Sequence, residues 1–254
     1  MYPKFNKNKT ALVTGSSKGI GLSIAKLLDS QGIKVLLNSR KKIKKSIMRD
    51  FKNKPEHFCF DVTSEKAIKK SFKNIKKKYK KIDYLICNVG YSSSSKKKQF
   101  EIDEWRKIFE RNFFSTLNTI FLFKKIFKNI KSSKKIICIS SISGLYVSAA
   151  PTTYAIAKST LNSYVRHASK SLTRENIILN CVAPGNVFFE GGVWDKNLKK
   201  NKNYYKKYIK AEVPENRLAH PEEIANLVVY LCSEKSTFIN GSIINIDGGQ
   251  NKSI

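Results

Sequence analysis

Ala11-Leu-Val-Thr14-Gly15-Ser-Ser-Lys-Gly19-Ile-Gly21 is the stretch whose reading decides the fold of this chain. The apolar run from Ala11 to Thr14 has the length and character of a buried strand, and Leu22 to Ser30 continues with helical periodicity. Between them Gly15-x-x-x-Gly19-x-Gly21 turns strand into helix. Glycine accepts tight backbone conformations, and a helix amino terminus favours negative charge, so such a turn lets the backbone approach a pyrophosphate. Gly15, Ser17, Lys18, Gly19, Ile20 and Gly21 are its candidate contacts.

The alternation begun there continues through the chain. Val35–Leu37, Phe58–Phe60, Tyr84–Cys87, Ile136–Ile139, Ile177–Val182 and Ser242–Ile246 read as further short apolar strands, separated by helical patterns. Strand–helix alternation of this kind implies right-handed crossovers and an α/β architecture. The predicted fold is a single-domain doubly wound parallel sheet of the Rossmann type, with helices on both faces. Ligands in such sheets bind at the carboxyl ends of the strands. Every motif singled out below falls at one of those ends.

At 254 residues, the chain is long enough to bury a large core as one domain, residues 1–254. No apolar run approaches the length of a membrane span, and Met1 to Lys9 lacks the apolar stretch of a signal peptide. The expectation is a cytoplasmic protein with no membrane association. Cys59, Cys87, Cys138, Cys181 and Cys232 are odd in number, widely spaced and mostly inside strand-like runs, as small hydrophobes in a reducing compartment would be. No pair has the spacing of a metal site, so no metal is expected. The formal net charge is +30. Its lysines spread through nearly every predicted helix, whereas a nucleic-acid footprint clusters on one face. The runs Lys41–Lys45, Lys76–Lys81 and Lys96–Lys98 also lack the interleaved aromatics of a stacking platform. No nucleic-acid partner is expected.

A second constellation follows the fifth strand, in Ser140-Ser-Ile-Ser-Gly-Leu-Tyr-Val-Ser-Ala-Ala-Pro-Thr-Thr-Tyr154-Ala-Ile-Ala-Lys158. Tyr154 and Lys158 stand one helical turn apart on one face. A nearby positive charge favours the phenolate, so Lys158 is expected to draw the Tyr154 pKa below its usual value and make the phenol an acid or base near neutrality. Ser141, at the end of the strand, can offer its hydroxyl to the oxygen that Tyr154 protonates.

This constellation together with the glycine-rich turn resembles the short-chain dehydrogenase/reductase family, over nearly the whole chain. Within that family it resembles the 3-oxoacyl-carrier-protein reductases and the sugar and polyol dehydrogenases. Thr14-Gly15-x-x-x-Gly19-x-Gly21 is similar to the family's version of the turn. The resemblance implies that Asp61 and Val62 border an adenine and that Asn88 and Gly90 line the cofactor cleft, with Cys87 replacing a family asparagine. It implies that Asn112, in the amphipathic segment Trp105 to Ile130, holds a water linking the active-site lysine to solvent. Pro184, Gly185 and Val187 match the loop covering the nicotinamide, where the family usually has threonine at the position of Phe189. Phe188 to Glu212 would be a substrate lid, rich in lysine and tyrosine.

The turn after the second strand bears on the dinucleotide. A carboxylate there would hold the ribose hydroxyl of NAD, whereas Arg40 can grip the extra phosphate of NADP. The expected cofactor is NADP(H), contacted also by Tyr154 and Lys158. The expected reaction is reduction of a keto group, with Asn112, Ser141, Tyr154 and Lys158 as catalytic residues. A 3-oxoacyl thioester on an acidic acyl carrier protein is the first candidate substrate, and a sugar or polyol the alternative. A non-catalytic cofactor-binding protein is a third class that this fold can serve. A homodimer or homotetramer is expected through the helices of Trp105–Ile130 and Thr152–Thr173, because the first carries more aromatic surface than one buried face needs.

Overall fold

The computed structural model describes residues 5, 8–92, 100–128 and 133–251. Lys96–Lys98 and Ile130 therefore lie outside the described residues. Seven strands form one sheet: β1 (Thr10–Val13), β2 (Lys34–Ser39), β3 (Glu56–Cys59), β4 (Tyr84–Cys87), β5 (Lys134–Ile139), β6 (Ile177–Pro184) and β7 (Ile243–Ile246). Their order is β3-β2-β1-β4-β5-β6-β7, and every pairing is parallel. The chain leaves β1 toward β3 on one side and crosses from β3 back to β4 on the other. That reversal beside β1 opens a crevice at the carboxyl ends of β1 and β4, the place where open α/β sheets bind ligands.

Nine helices connect the strands among the described residues: α1 (Gly19–Ser30), α2 (Lys45–Arg49), α3 (Glu65–Tyr79), α4 (Ile102–Phe109), α5 (Ser115–Phe127), α6 (Thr152–Thr173), α7 (Val193–Lys200), α8 (Lys202–Glu212) and α9 (Pro221–Cys232). Alternate strand residues point to opposite faces, and the core divides accordingly. Leu12, Leu36, Leu85, Ile136 and Leu179 pack with Phe72, Phe123, Phe127 and Leu161 on the face of α3, α5 and α6. Val13, Val35, Ile86, Ile137 and Val182 pack with Ile24, Leu28, Ile224 and Val228 on the face of α1 and α9. Phe72, Phe123 and Phe127 are wholly buried, so truncating any one to alanine should cost about 3–5 kcal/mol.

Two sequence expectations shift. The third strand is Glu56–Cys59, because its ladder partners Leu36–Ser39 carry register back to Glu56 and leave Phe60 just beyond the pairing. Cys59 is exposed, unlike the other four cysteines, since β3 is an edge strand. The amphipathic segment is helical from Ile102 to Phe127, with a π turn at Glu110–Phe114 between α4 and α5. Of the basic runs, Lys76–Lys78 lie in the last turn of α3, where the helix dipole favours cations. No described helix is long and apolar enough to cross a membrane. No group of metal-ligating side chains that could hold an ion occurs among the described residues.

Candidate active site

The glycine-rich turn is held open by a polar knot at the ends of β1, β2 and β4. Asn38, in an otherwise apolar strand, accepts from Gly15 N with Oδ1 (3.3 Å) and donates from Nδ2 to Phe58 O (3.2 Å) and Phe60 O (3.0 Å). Ser16 Oγ accepts from Asn38 N at 2.9 Å. Asn88 Nδ2 donates to Thr14 O (3.0 Å) and Gly15 O (3.2 Å), while Asn88 N donates to Thr14 Oγ1 (3.0 Å). A Cβ at Gly21 would lie 2.4 Å from Asn88 Nδ2 and 2.7 Å from Gly15 O, so only glycine lets α1 start this close to the strands. Asn38 and Ser16 were not legible as site residues. The one available signal was a polar side chain inside an apolar strand.

The amino terminus of α1 has no side-chain cap and no acidic residue in its first turn, whereas α3 is capped by Ser64. Its first N–H groups are thus left for an anion. Ser17 is half-buried in the turn and Ile20 turns partly into the core. Arg40 is exposed just past β2, and its carbonyl accepts the Cys59 thiol at 3.0 Å. Val62 is buried in the core, so its backbone is what it can offer the crevice. Asp61 Oδ1 accepts from Thr63 N and Thr63 Oγ1, both at 2.9 Å. Asn186 Nδ2, in the loop after β6, is buried without a hydrogen-bond partner. An open helix terminus, an exposed guanidinium and an orphaned amide donor along one crevice suit a phosphorylated dinucleotide.

The loop after β6 rests on the same turn. A Cβ at Gly19, whose φ is +56°, would lie 2.8 Å from the Phe189 ring, and Lys18 Nζ donates to Gly191 O at 3.2 Å. Phe189 thus packs where the family usually has a hydroxyl. Pro184 ends β6, Gly185 N donates to Ile246 O at 3.0 Å, and Val187 bridges Ala219. In the segment from Phe188 to Glu212, Trp194 stacks on Tyr208 (5.5 Å between ring centroids) and meets Tyr205 edge-on (5.8 Å).

At the end of β5, Ser141 begins a single 3-10 turn, Ile142–Gly144. A Cβ at Gly144 would lie 2.6 Å from the Lys158 carbonyl carbon. That close approach, which the sequence did not reveal, presses the Ser141 turn onto α6 and brings Ser141 into a side-chain hydrogen bond with Tyr154. Lys158 is buried, with Nζ donating to Ile139 O at 2.8 Å and lying 5.8 Å from the Tyr154 ring centroid. A Cβ at Gly90 would lie 3.1 Å from Lys158 Nζ and 3.2 Å from Asn112 Oδ1, which places β4, α6 and the π turn around one point.

The electrostatics correct the sequence expectation for Tyr154. Burial raises its phenol pKa above 10, and the hydrogen bond with Ser141 is the influence that opposes the rise. Lys158 is itself desolvated, its pKa pulled down to about 8 by burial. Committed to Ile139 O, the ammonium lends less field to the phenol than its spacing alone suggests. Asn112, fully buried in the π turn, accepts from Tyr91 N (2.9 Å) and donates to Tyr91 O and Ile108 O (both 3.0 Å). Its side chain clamps the connection after β4, so a water in this region would meet the backbone.

The parallel seven-stranded sheet, the glycine turn and the Ser141–Tyr154–Lys158 cluster define a Rossmann-type oxidoreductase scaffold. A family model described as Enoyl-(Acyl carrier protein) reductase matches residues 15–251. The 3-oxoacyl-(acyl-carrier-protein) reductase FabG of Chlamydia trachomatis is 31% identical over 95% of this chain and 97% of its own length. The chain belongs to the short-chain dehydrogenase/reductase family and is an oxidoreductase of the CH–OH/C=O class. Among solved structures, L-sorbose reductase of Gluconobacter frateurii, complexed with NADPH and L-sorbose, superposes with a TM-score of 0.89 at 24% identity, covering 98% of each chain. The RhlG–NADP active-site complex of Pseudomonas aeruginosa gives 0.87 at 24% identity, covering 99% of this chain and 100% of that one.

Proposed function

We propose that this protein is an NADP(H)-dependent reductase of a keto group, with a 3-oxoacyl thioester as its first substrate class. The observation that carries the reading is the hydrogen-bonded Ser141–Tyr154 pair with Lys158 Nζ buried beneath the Tyr154 ring. The nicotinamide supplies the hydride chemistry when bound. Gly15, Lys18, Gly19 and Gly21 would hold its pyrophosphate and Arg40 its ribose phosphate, with Asn88, Gly90, Pro184, Gly185 and Val187 lining the crevice. Asp61 and Val62 would lie toward the adenine.

Ser141 and Tyr154 bind the substrate carbonyl oxygen between two hydroxyl donors, where negative charge develops during reduction. Tyr154 gives that oxygen its proton. Its raised pKa keeps the phenol protonated through neutral pH, the form that the reductive direction uses. Lys158 holds the cofactor ribose and, when charged, stabilises the phenolate left behind. Asn112 positions the β4 connection against Lys158 and so keeps open a route for reprotonation.

The acyl reading is supported by curated reductases near 30% identity along the full chain. Keto-sugar reduction is the second reading, favoured by polar atoms in the cavity under the lid described below. Tyr154→Phe should reduce turnover by about a thousandfold, the scale of one general acid, while NADPH titration by fluorescence stays unchanged. Near wild-type turnover would remove Tyr154 as the acid. The same assay with a 3-oxoacyl thioester on an acidic carrier and with a ketose, each at saturating NADPH, separates the substrate classes. The carrier-bound rate alone should fall with salt, since opposite charges steer that encounter.

A further inference from the structure

Between the connection from Ser141 to Tyr154, the lid helix α8 and the turn after β7 lies a cavity of about 270 Å3, lined by Tyr146, Val147, Tyr208, Glu212 and Gln250 among others. Two of its lining residues carry a buried polar atom with no hydrogen-bond partner: Tyr146 Oη and Gln250 Oε1. Gln250 is only 3% exposed. Its position is built by Asp247, which accepts from Gly249 N (3.1 Å) and Asn251 N (2.9 Å) through its carboxylate and from Gln250 N (3.2 Å) through its carbonyl. A Cβ at Gly185 would lie 3.1 Å from Gln250 Oε1, so this amide borders the loop after β6 as well as the cavity. The Tyr146 phenol is held neutral by burial, reinforced by Asp247, Tyr208 and Glu212 nearby.

Buried polar groups are normally paired, and an amide oxygen is an acceptor that only a donor can satisfy. A neutral phenol beside it can donate or accept. We propose that Gln250 and Tyr146 form a substrate-positioning subsite that binds an N–H or O–H donor on the non-reacting part of the substrate. The subsite lies beyond the carbonyl-binding pair Ser141–Tyr154 and rests on the reductase reading given above. Two substrates carry this chemistry: the amide N–H of a pantetheine-like thioester arm, and the hydroxyls of a ketose. A bare alkyl chain would leave both atoms unpaired and be bound less well.

The test uses the full chain with NADPH and four substrates in two matched pairs. One pair is the N-acetylcysteamine thioester of 3-oxobutanoate and its ethyl ester, which lacks the N–H; the other is a ketohexose and an unsubstituted ketone. Gln250→Leu should raise KM about tenfold for the donor-bearing member of one pair, the loss of one buried hydrogen bond, with kcat within about twofold and the donor-free partner unchanged. The pair that responds identifies the source of the donor. Tyr146→Phe should act in the same direction on the same pair. Equal KM changes for both members of each pair, or no change, would overturn the proposal.

Calorimetric titration of the corresponding hydroxy products into the NADP-loaded protein measures binding without turnover. A Gln250-dependent affinity in a protein that reduces none of the four would sink the reductase reading and leave the subsite standing. No binding of either donor-bearing product would sink the subsite. The free protein supplies an independent readout: because Oε1 has no partner to lose, Gln250→Leu should leave its Tm unchanged or raised. A fall of several degrees would show that the amide is bonded within the fold, which also overturns the assignment.

Discussion

Lys158 carries a charge in a place that opposes it. Its folded pKa of about 8 lies below the ordinary 10.5 because burial disfavours the ammonium, although the nearby thiols of Cys181 and Cys138 push the other way. Below pH 8 the lysine is charged folded or unfolded, and the whole desolvation cost is present. Between about 8 and 10.5 the unfolded chain binds the extra proton, so stability rises with pH through that window. At 1.36 kcal/mol per pKa unit, the rise due to Lys158 is about 3 kcal/mol. Urea unfolding of wild type against Lys158→Met should show the difference moving in favour of wild type by about that amount from pH 8 to 10.5. A constant difference would mean that Lys158 titrates normally. Arg40 makes a separate case. It is exposed just past β2, and Arg40→Ala should weaken NADPH by about 1.5–3 kcal/mol, the scale of a hydrogen bond to a charged group. Fluorescence titration should find NADH binding nearly unchanged, and equal losses for both dinucleotides would count against the phosphate contact.

At the scale of elements, the segment after β6 behaves as a strap on the glycine-rich turn. Phe189 packs on Gly19, Lys18 reaches Gly191, and Asp195 at the start of α7 accepts from Gly191 N and Lys199 Nζ, both at 2.9 Å. An anion arriving at the amino terminus of α1 would share the space beside Gly19 with the aromatic ring. Phe189→Ala should therefore tighten NADPH binding several-fold, chiefly through a faster association rate, in stopped-flow fluorescence; slower association would show that the ring instead cradles the cofactor. The π turn at Glu110–Phe114 is a second element-level device. It buries Asn112 against Tyr91 and Ile108, and such turns interrupt α-helices frequently at functional sites.

For the whole molecule the question is what covers the helices beside the site. Phe114 and Phe121, seven residues apart on the helical segment, are 42% and 54% exposed, and Ile156 on α6 is 45% exposed. Phe113 and Tyr164 join the two segments edge-on, with ring centroids 6.2 Å apart. Phe127, in contrast, is wholly buried in the core. The exposed aromatics support assembly through α5 and α6, as homo-oligomers commonly pair one self-complementary patch. Light scattering at micromolar concentration should give a dimer or tetramer, and Phe121→Asp should shift it toward monomer. A monodisperse wild-type monomer would refute this interface.

The order of strands and helices, the two-sided core and the grouping of Ser141, Tyr154 and Lys158 followed from sequence because each rests on local signals: apolar runs, helical spacing, glycine in a strand-to-helix turn. Strand ends moved by one or two residues because pairing, not the apolar run itself, sets where a strand stops, as Glu56–Cys59 shows. Tertiary structure alone decided the rest. The Tyr154 pKa depends on desolvation by residues far apart in the chain, which outweighs the opposing hydrogen bond with Ser141. Gly144 matters through the backbone of Lys158, Asn38 through the carbonyls of Phe58 and Phe60, and Gln250 through a cavity shared with Tyr146. None of these has a periodicity or spacing to read, since burial and close approach arise only when distant segments are brought together by the sheet.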